Sequence, residues 1–336
     1  MSNSLIQNRK TVSPLKRKGT LRTRTSELIS ERVVEGLFIL VVLIGLIASP
    51  DFLTPFNIDS LLRQAAVVGI LAIGQYLVIV SGGFDLSVGA VVALTSISLA
   101  AMVSEMGELA IPVAVLIGAS MGLLSGLAVT VGRIPPFVAT LGVLGIARGL
   151  AFTVSTQGIV VTNQFLTTLN KASVLGIPLV AIIWLVVIAS VYALLHTTRV
   201  GTYIFAIGGN PDSARLAGVP VARVQLTTYI LSGSLAGLAG VLFVARSSSG
   251  SPGVAGGWEL DTIAAVVIGG VSLFGGSGNL LRAMLGVLIY IMLTNIMNLL
   301  NVDAYLQNVL KGALIFMAVA AFAIAQRRNQ TGRTTT

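Results

Sequence analysis

The stretch RVGTYIFAIGGNPDSARLAGVPV, Arg199 to Val221, is an island of polar and small residues in a chain that is otherwise mostly apolar. It carries the outline of one short helix. Asn210 brings a side-chain oxygen that can accept from an unpaired first-turn amide. Pro211 suits the first helical position, where no amide donor is needed and its fixed φ fits. Gly218 offers a permissive stop, and Pro220 bars continuation. A helix of about two turns is not stable alone in water, so one placed between two apolar runs needs a docking surface. That surface is expected to belong to a separate, energy-supplying protein, with the rest of the chain as the gate it works.

The surroundings of this island set the class. The 336 residues are 55% hydrophobic and only 10% charged, with a mean hydropathy of +0.94. Soluble domains carry about a quarter charged residues, so the chain reads as an all-α polytopic membrane protein. Apolar runs fall at 33–49, 61–80, 87–104, 109–131, 134–156, 174–195, 224–245, 260–274, 282–300 and 304–325. At roughly 20 residues per crossing they predict about ten transmembrane helices. Glycines interrupt the sequence near 81–90 and 260–280, which predicts half-helices or re-entrant turns there. With no cysteine, disulfides, thiolate catalysis and cysteine-ligated metals are excluded. The single histidine, His196, has no second one to form a metal pair.

The formal net charge of +9 suggests nucleic acid only until the charges are placed. Arg9, Lys10, Lys16, Arg17, Lys18, Arg22, Arg24 and Arg32 lie in the polar stretch 1–32, which reads as a disordered cytoplasmic tail. With that tail inside, Arg133, Arg199, Arg215, Arg223, Arg282, Arg327, Arg328 and Arg333 also fall inside, the last three in or beside a C-terminal tail at 326–336. Only Arg63, Lys171 and Arg246 fall outside. The asymmetry puts both termini and the island in the cytoplasm. Basic residues beside a first span are ordinary topology signals, so no nucleic-acid partner is expected.

Polar groups near the spans are candidates for a path or gate. In SGGFDLSVGA, Gly82 and Gly83 break the span, and Asp85 and Ser87 follow before the next apolar run. Asp85 is read first as an acid stabilising a helix start and second as part of a gate, since ionisable groups near a membrane are expensive. Asn295 and Asn298 in a late span could line a polar path, although helix-to-helix hydrogen bonds are the commoner use. Glu259 and Asp261, at another span start, read as caps. Arg148 and Lys311 read as snorkelling or paired. Gly118, Gly122 and Gly126 predict close helix packing, as do the pairs Gly233 with Gly237 and Gly145 with Gly149. AAVV at 65–68 and 264–267, each followed by a Gly-Gly pair at unequal spacing, is a faint sign of two related halves.

No Gly-x-x-x-x-Gly-Lys-Ser/Thr run is present to cradle ATP phosphates, and no intramembrane carboxylate cluster that would serve a proton or sodium relay is evident. A transporter built this way runs downhill or borrows work from another subunit. An ion-coupled secondary carrier acting alone is the competing reading, and the missing relay counts against it.

Four stretches carry a resemblance: IVSGGFDLSVGAVVALT (79–95), GRIPPFVATLGVLGIARGL (132–150), HTTRVGTYIFAIGGNPDSARLAGVPV (196–221) and GWELDTIAAVVIGGVSLFGGSGNLLRAMLG (257–286). They resemble the permease subunits of bacterial ATP-binding cassette (ABC) sugar importers. The resemblance extends over about 33–325, the transmembrane permease domain. It implies a type II-like importer architecture in a bacterial inner membrane, importing ribose or a similar monosaccharide by alternating access. It further implies a second permease copy, identical or a close homologue, a cytoplasmic ABC ATPase that uses the ATP, and a periplasmic sugar-binding protein. Membrane lipid is the remaining partner, and this chain itself would bind no cofactor or metal. The family's coupling loop, within 196–223, would fall on Gly208, Gly209, Asn210, Pro211, Ala214, Arg215, Leu216 and Gly218, with Arg215 against the ATPase.

Overall fold

The computed structural model describes residues 32–313 together with Phe316 and Met317. The expected tails, 1–32 apart from Arg32 and 326–336, lie outside the described residues, as does most of the far end of the last apolar run. The chain divides at Val33 into two units, and the second, Val34–Thr336, holds nearly all the described residues.

The described chain is mostly helical. In order come α1 (Val33–Ala48), α2 (Pro55–Val80), α3 (Val88–Met106), α4 (Ala110–Thr130), α5 (Pro136–Val154), α6 (Gln164–Lys171), α7 (Leu179–Thr197), α8 (Arg199–Gly209), α9 (Pro211–Leu216), α10 (Val221–Ser247), α11 (Trp258–Ile268) and α12 (Leu280–Leu299). A further helical stretch begins at 304. Among the described residues, six stretches are long and apolar enough to cross a membrane: Pro55–Val80, Val88–Thr130, Pro136–Val154, Leu179–Thr197, Val221–Ser247 and Leu280–Leu299. Val88–Thr130 is not one rod. Gly107, at φ 58°, reverses the chain, and α3 and α4 pack against each other.

Local chemistry starts these helices. Thr54 caps α2, its hydroxyl accepting from the Asn57 amide at 3.4 Å, and Pro55 follows at the first position. Asn163 caps α6 by accepting from Leu166. α2 is buried on every side from Ala65 to Val80, as is α3 from Val88 to Ala100, the pattern of a helix enclosed by other helices rather than one with a single covered face. The glycine face of α4 lies on α10, as expected. A Cβ at Gly118 would sit 2.8 Å from the Cα of Gly237, and one at Gly122 3.1 Å from that of Gly233.

The glycines near 260–280 interrupt the apolar run, and a half-helix results: α11 is helical only to Ile268, Gly269 caps it, and Gly270 takes φ 82°. At 1.5 Å per residue this helix is about 16 Å long, half the thickness of a bilayer core. Its start differs from the sequence reading, which expected Glu259 and Asp261 as caps. Gly257, at φ 88°, holds the cap position without a side-chain bond, while Glu259 and Asp261 stand in the first turn. There they complement the helix dipole. Two strand pairs of two residues each complete the fold: β1 (Ile159–Val160) with β4 (Ser249–Gly250), and β2 (Ser173–Val174) with β3 (Ile177–Pro178).

Candidate functional site

The island around Asn210 folds as its sequence suggests. The Asn210 side chain accepts from the Ser213 amide at 2.8 Å, and Pro211 opens α9. The helix ends in a glycine-closed motif. Val219 N–H donates to Ala214 C=O at 3.0 Å, and Gly218 N–H, at φ 82°, donates to Arg215 C=O at 3.0 Å. These two bonds satisfy carbonyls that would otherwise be orphaned, and only a residue tolerant of positive φ fits between them. Ala214 is buried against the body of the protein, whereas Leu216 is 91% exposed. Arg215 forms an exposed ion pair with Asp212 at 2.8 Å, a contact of small energetic weight. Beside α9 lies an open groove of about 670 Å³ whose walls carry Arg133, Arg215 and Arg223.

The break after α2 is locked from two sides. Asp85 is 1% exposed, yet its carboxylate is fully engaged. Oδ1 accepts from the Ser87 amide at 3.0 Å and the Ser87 hydroxyl at 2.6 Å, and Oδ2 accepts from Ser232 on α10 at 2.8 Å. Burial pushes this carboxyl above the usual range, and the three bonds pull it back. Ser87 occupies the cap position of α3 without a side-chain capping bond. Asp85 therefore turns the linker locally and ties it to α10. Tyr229 adds a second tie, its hydroxyl donating to Phe84 C=O at 3.3 Å. The same ring fills the space above Gly83, where a Cβ would sit 2.6 Å from the Tyr229 oxygen.

These two regions meet through bare backbone. Gly276 N–H donates to Val80 C=O at 2.9 Å. A Cβ at Gly275 would lie 2.8 Å from the Cα of Gly82, and one at Gly276 2.6 Å from the Cα of Gly209. A Cβ at Gly208 would collide with the carbonyl of Val80. The end of α2, the end of α8 and the α11–α12 loop thus touch with no side chain between them. Gly275 and Gly276 also need positive φ, 84° and 70°. The junction places Gly82, Gly208 and Gly209 together, as residue types alone did not indicate, and adds Gly275 and Gly276. The only available signal for these two was the doubled glycine in LFGGSGN.

Asn295 and Asn298 lie elsewhere. Asn295 and Asn57 exchange amide bonds at 2.7 and 3.0 Å across α12 and α2. Asn298 accepts from Gln307 at 2.9 Å. Both are used between helices. Arg148 donates to the carbonyls of Pro252 and Val254 at 2.8 and 2.9 Å and so anchors the loop before α11. Among the described residues, no group of three or more His, Cys, Asp or Glu is placed to hold a metal ion.

Residues 57–319 match the family model described as "Branched-chain amino acid transport system / permease component". The chain is 42% identical over 290 residues to the ribose import permease protein RbsC of Bacillus subtilis, covering 84% of this chain and 89% of that one. It is 35% identical over 286 residues to the L-arabinose ABC transporter permease protein AraH of Azospirillum brasilense, covering 84% and 83%. It is 36% identical over 288 residues to the D-allose transport system permease protein AlsC of Escherichia coli, covering 84% and 88%. No solved structure matches.

Proposed function

The chain belongs to the branched-chain amino acid transport system / permease component family, as a transport subunit rather than an enzyme, and from that premise we propose that it is the membrane subunit of an ABC importer for ribose or a similar monosaccharide. It stands as a multi-pass bacterial inner-membrane protein of about ten crossings, with both ends in the cytoplasm. The names of the relatives, for ribose, L-arabinose and D-allose, favour a sugar over an amino acid.

The observation that carries the mechanism is the glycine junction. α9 is the surface on which a cytoplasmic ATPase pushes, with Leu216 as the exposed apolar contact and Arg133, Arg215 and Arg223 offering charge to an acidic rim. Its neighbour α8 ends at Gly208 and Gly209, in direct contact with the α2–α3 linker and the α11–α12 loop. Displacement of α9 therefore bears on three membrane helices and on the half-helix without passing through a deformable side chain. Close-packed elements of this kind switch between discrete arrangements rather than bend. ATP is bound by the partner, and this chain binds no cofactor of its own.

A second permease copy would cover α5. Gly142, Gly145 and Gly149 have no neighbouring atom within 4 Å of a built Cβ, whereas the glycines of α4 are filled by α10. A small-residue face of this kind lets another helix approach closely. A periplasmic sugar-binding protein completes the assembly and supplies substrate on the other side.

The test is reconstitution. Vesicles holding this chain with its ATPase and binding protein are expected to accumulate D-ribose, L-arabinose or D-allose on ATP addition. Uphill uptake by this chain alone, driven by an ion gradient, would instead establish the secondary-carrier reading.

A further inference from the structure

A cavity of about 70 Å³ lies between α2, the end of α10, the start of α11, the middle of α12 and the stretch after 304. Its walls bring together Gln64, Arg246, Trp258, Asp261, Tyr290 and Lys311. Such a gathering is unusual for a chain in which charged residues are only 10% of the total. Ionisable groups among membrane helices are costly, and they face partners, water or a transported solute. Asp261 faces the Tyr290 hydroxyl and the Lys311 ammonium, but among the described residues none of Arg246, Asp261 and Lys311 is in a salt bridge, and the Gln64 side-chain amide makes no hydrogen bond. The Lys311 ammonium sits 6.0 Å above the centre of the Tyr290 ring, and Trp258 is steadied edge-on by Phe243 at 6.0 Å.

A carboxylate, a guanidinium and a primary amide give acceptors and donors in several directions, and two aromatic rings give flat apolar walls. That combination fits a neutral polyhydroxylated ring, which presents hydroxyls around its rim and C–H groups on its faces. We propose that this cavity is the membrane subunit's own solute station, where a monosaccharide is held by Gln64, Arg246 and Asp261 against Trp258 and Tyr290. The proposal rests on the sugar-importer reading above. The volume is room for a few waters and less than a monosaccharide fills, so the station is contracted in this conformation. α11 forms one wall, and it is the short half-helix whose following loop enters the glycine junction. Movement at that junction is therefore placed to widen the station.

A second polar group lies on nearly the same face of α2. Gln75 lies eleven residues beyond Gln64 on α2, so it falls within about 20° of the same face and about 16 Å further along. It is 0% exposed, and neither its oxygen nor its nitrogen has a hydrogen-bond partner. A buried unpaired amide is expensive, and a passing hydroxyl solute would satisfy it.

The test uses the complete complex in proteoliposomes, with labelled D-ribose, L-arabinose and D-allose as probes, and measures uptake and ATP hydrolysis together. Asp261→Asn and Arg246→Gln are each expected to lower uptake per ATP hydrolysed at least ten-fold, while ATPase activity stimulated by the binding protein stays within two-fold. Gln64→Ala is expected to raise KM without loss of co-purification. If a charge variant fails to assemble, Gln64→Ala carries the test by itself. Uptake by the unaltered complex, with the assembling variants indistinguishable from it, overturns the station alone. No uptake of any of the three sugars by the unaltered complex overturns the sugar reading and the station with it.

Discussion

Gly208 shows how much a single hydrogen atom in place of a side chain carries in this protein. Its Cα faces the carbonyl of Val80 and the backbone of Gly276, where a methyl group has no room and nothing flexible can yield. Gly208→Ala is expected to lower stability by about 1–3 kcal/mol, the usual cost of overpacking a tight site. It should also uncouple ATP hydrolysis from uptake, measured as melting temperature and uptake per ATP in the assembled complex. Asp85 tests the neighbouring lock. Asp85→Ala leaves the Ser87 and Ser232 hydroxyls and one amide without their acceptor. A loss of about 1–3 kcal/mol in a thermal melt is expected, and a melt unchanged from the unaltered protein would show that the tie to α10 carries no stability. Asn210→Ala removes a cap and should cost about 1 kcal/mol of local stability, visible as faster amide exchange in residues 211–216.

Among the elements, α9 was legible because its signals are local. A cap at Asn210, a proline at 211 and a positive-φ glycine at 218 act on bonds within a few residues of themselves. The α4–α10 contact was legible as a face for the same reason, since four-residue glycine spacing is a property of one helix. The junction was not. Its three segments, near 80–82, 208–209 and 275–276, are far apart in sequence, and no periodicity records a contact between backbones. The cavity was hidden differently. Asp261 at a helix start looks like a cap, and only the fold shows Gly257 in that position and the carboxylate beside Arg246, Tyr290 and Lys311. Asn295 had two readings in sequence, and its reciprocal pairing with Asn57, 238 positions away, places it between helices. Of these elements α9 carries the sharpest experiment. Gly218 N–H donates to Arg215 C=O at a φ that proline cannot adopt. The double change Arg215→Glu and Gly218→Pro is expected to reduce ATPase co-purification several-fold while the membrane domain still inserts and melts cooperatively. Co-purification at the unaltered level would remove α9 as the handle.

For the molecule as a whole, the decisive matter is which side of the membrane α9 occupies and what it touches there. The chain has no native cysteine, so an introduced one reports from a single place. Leu216, 91% exposed at the tip of α9, is that place. In membranes containing the complete complex, Leu216→Cys is expected to cross-link to the ATPase subunit, with a yield that changes when ATP is added. No adduct with the ATPase, together with labelling of the introduced thiol by an impermeant maleimide from outside intact cells, would contradict the account.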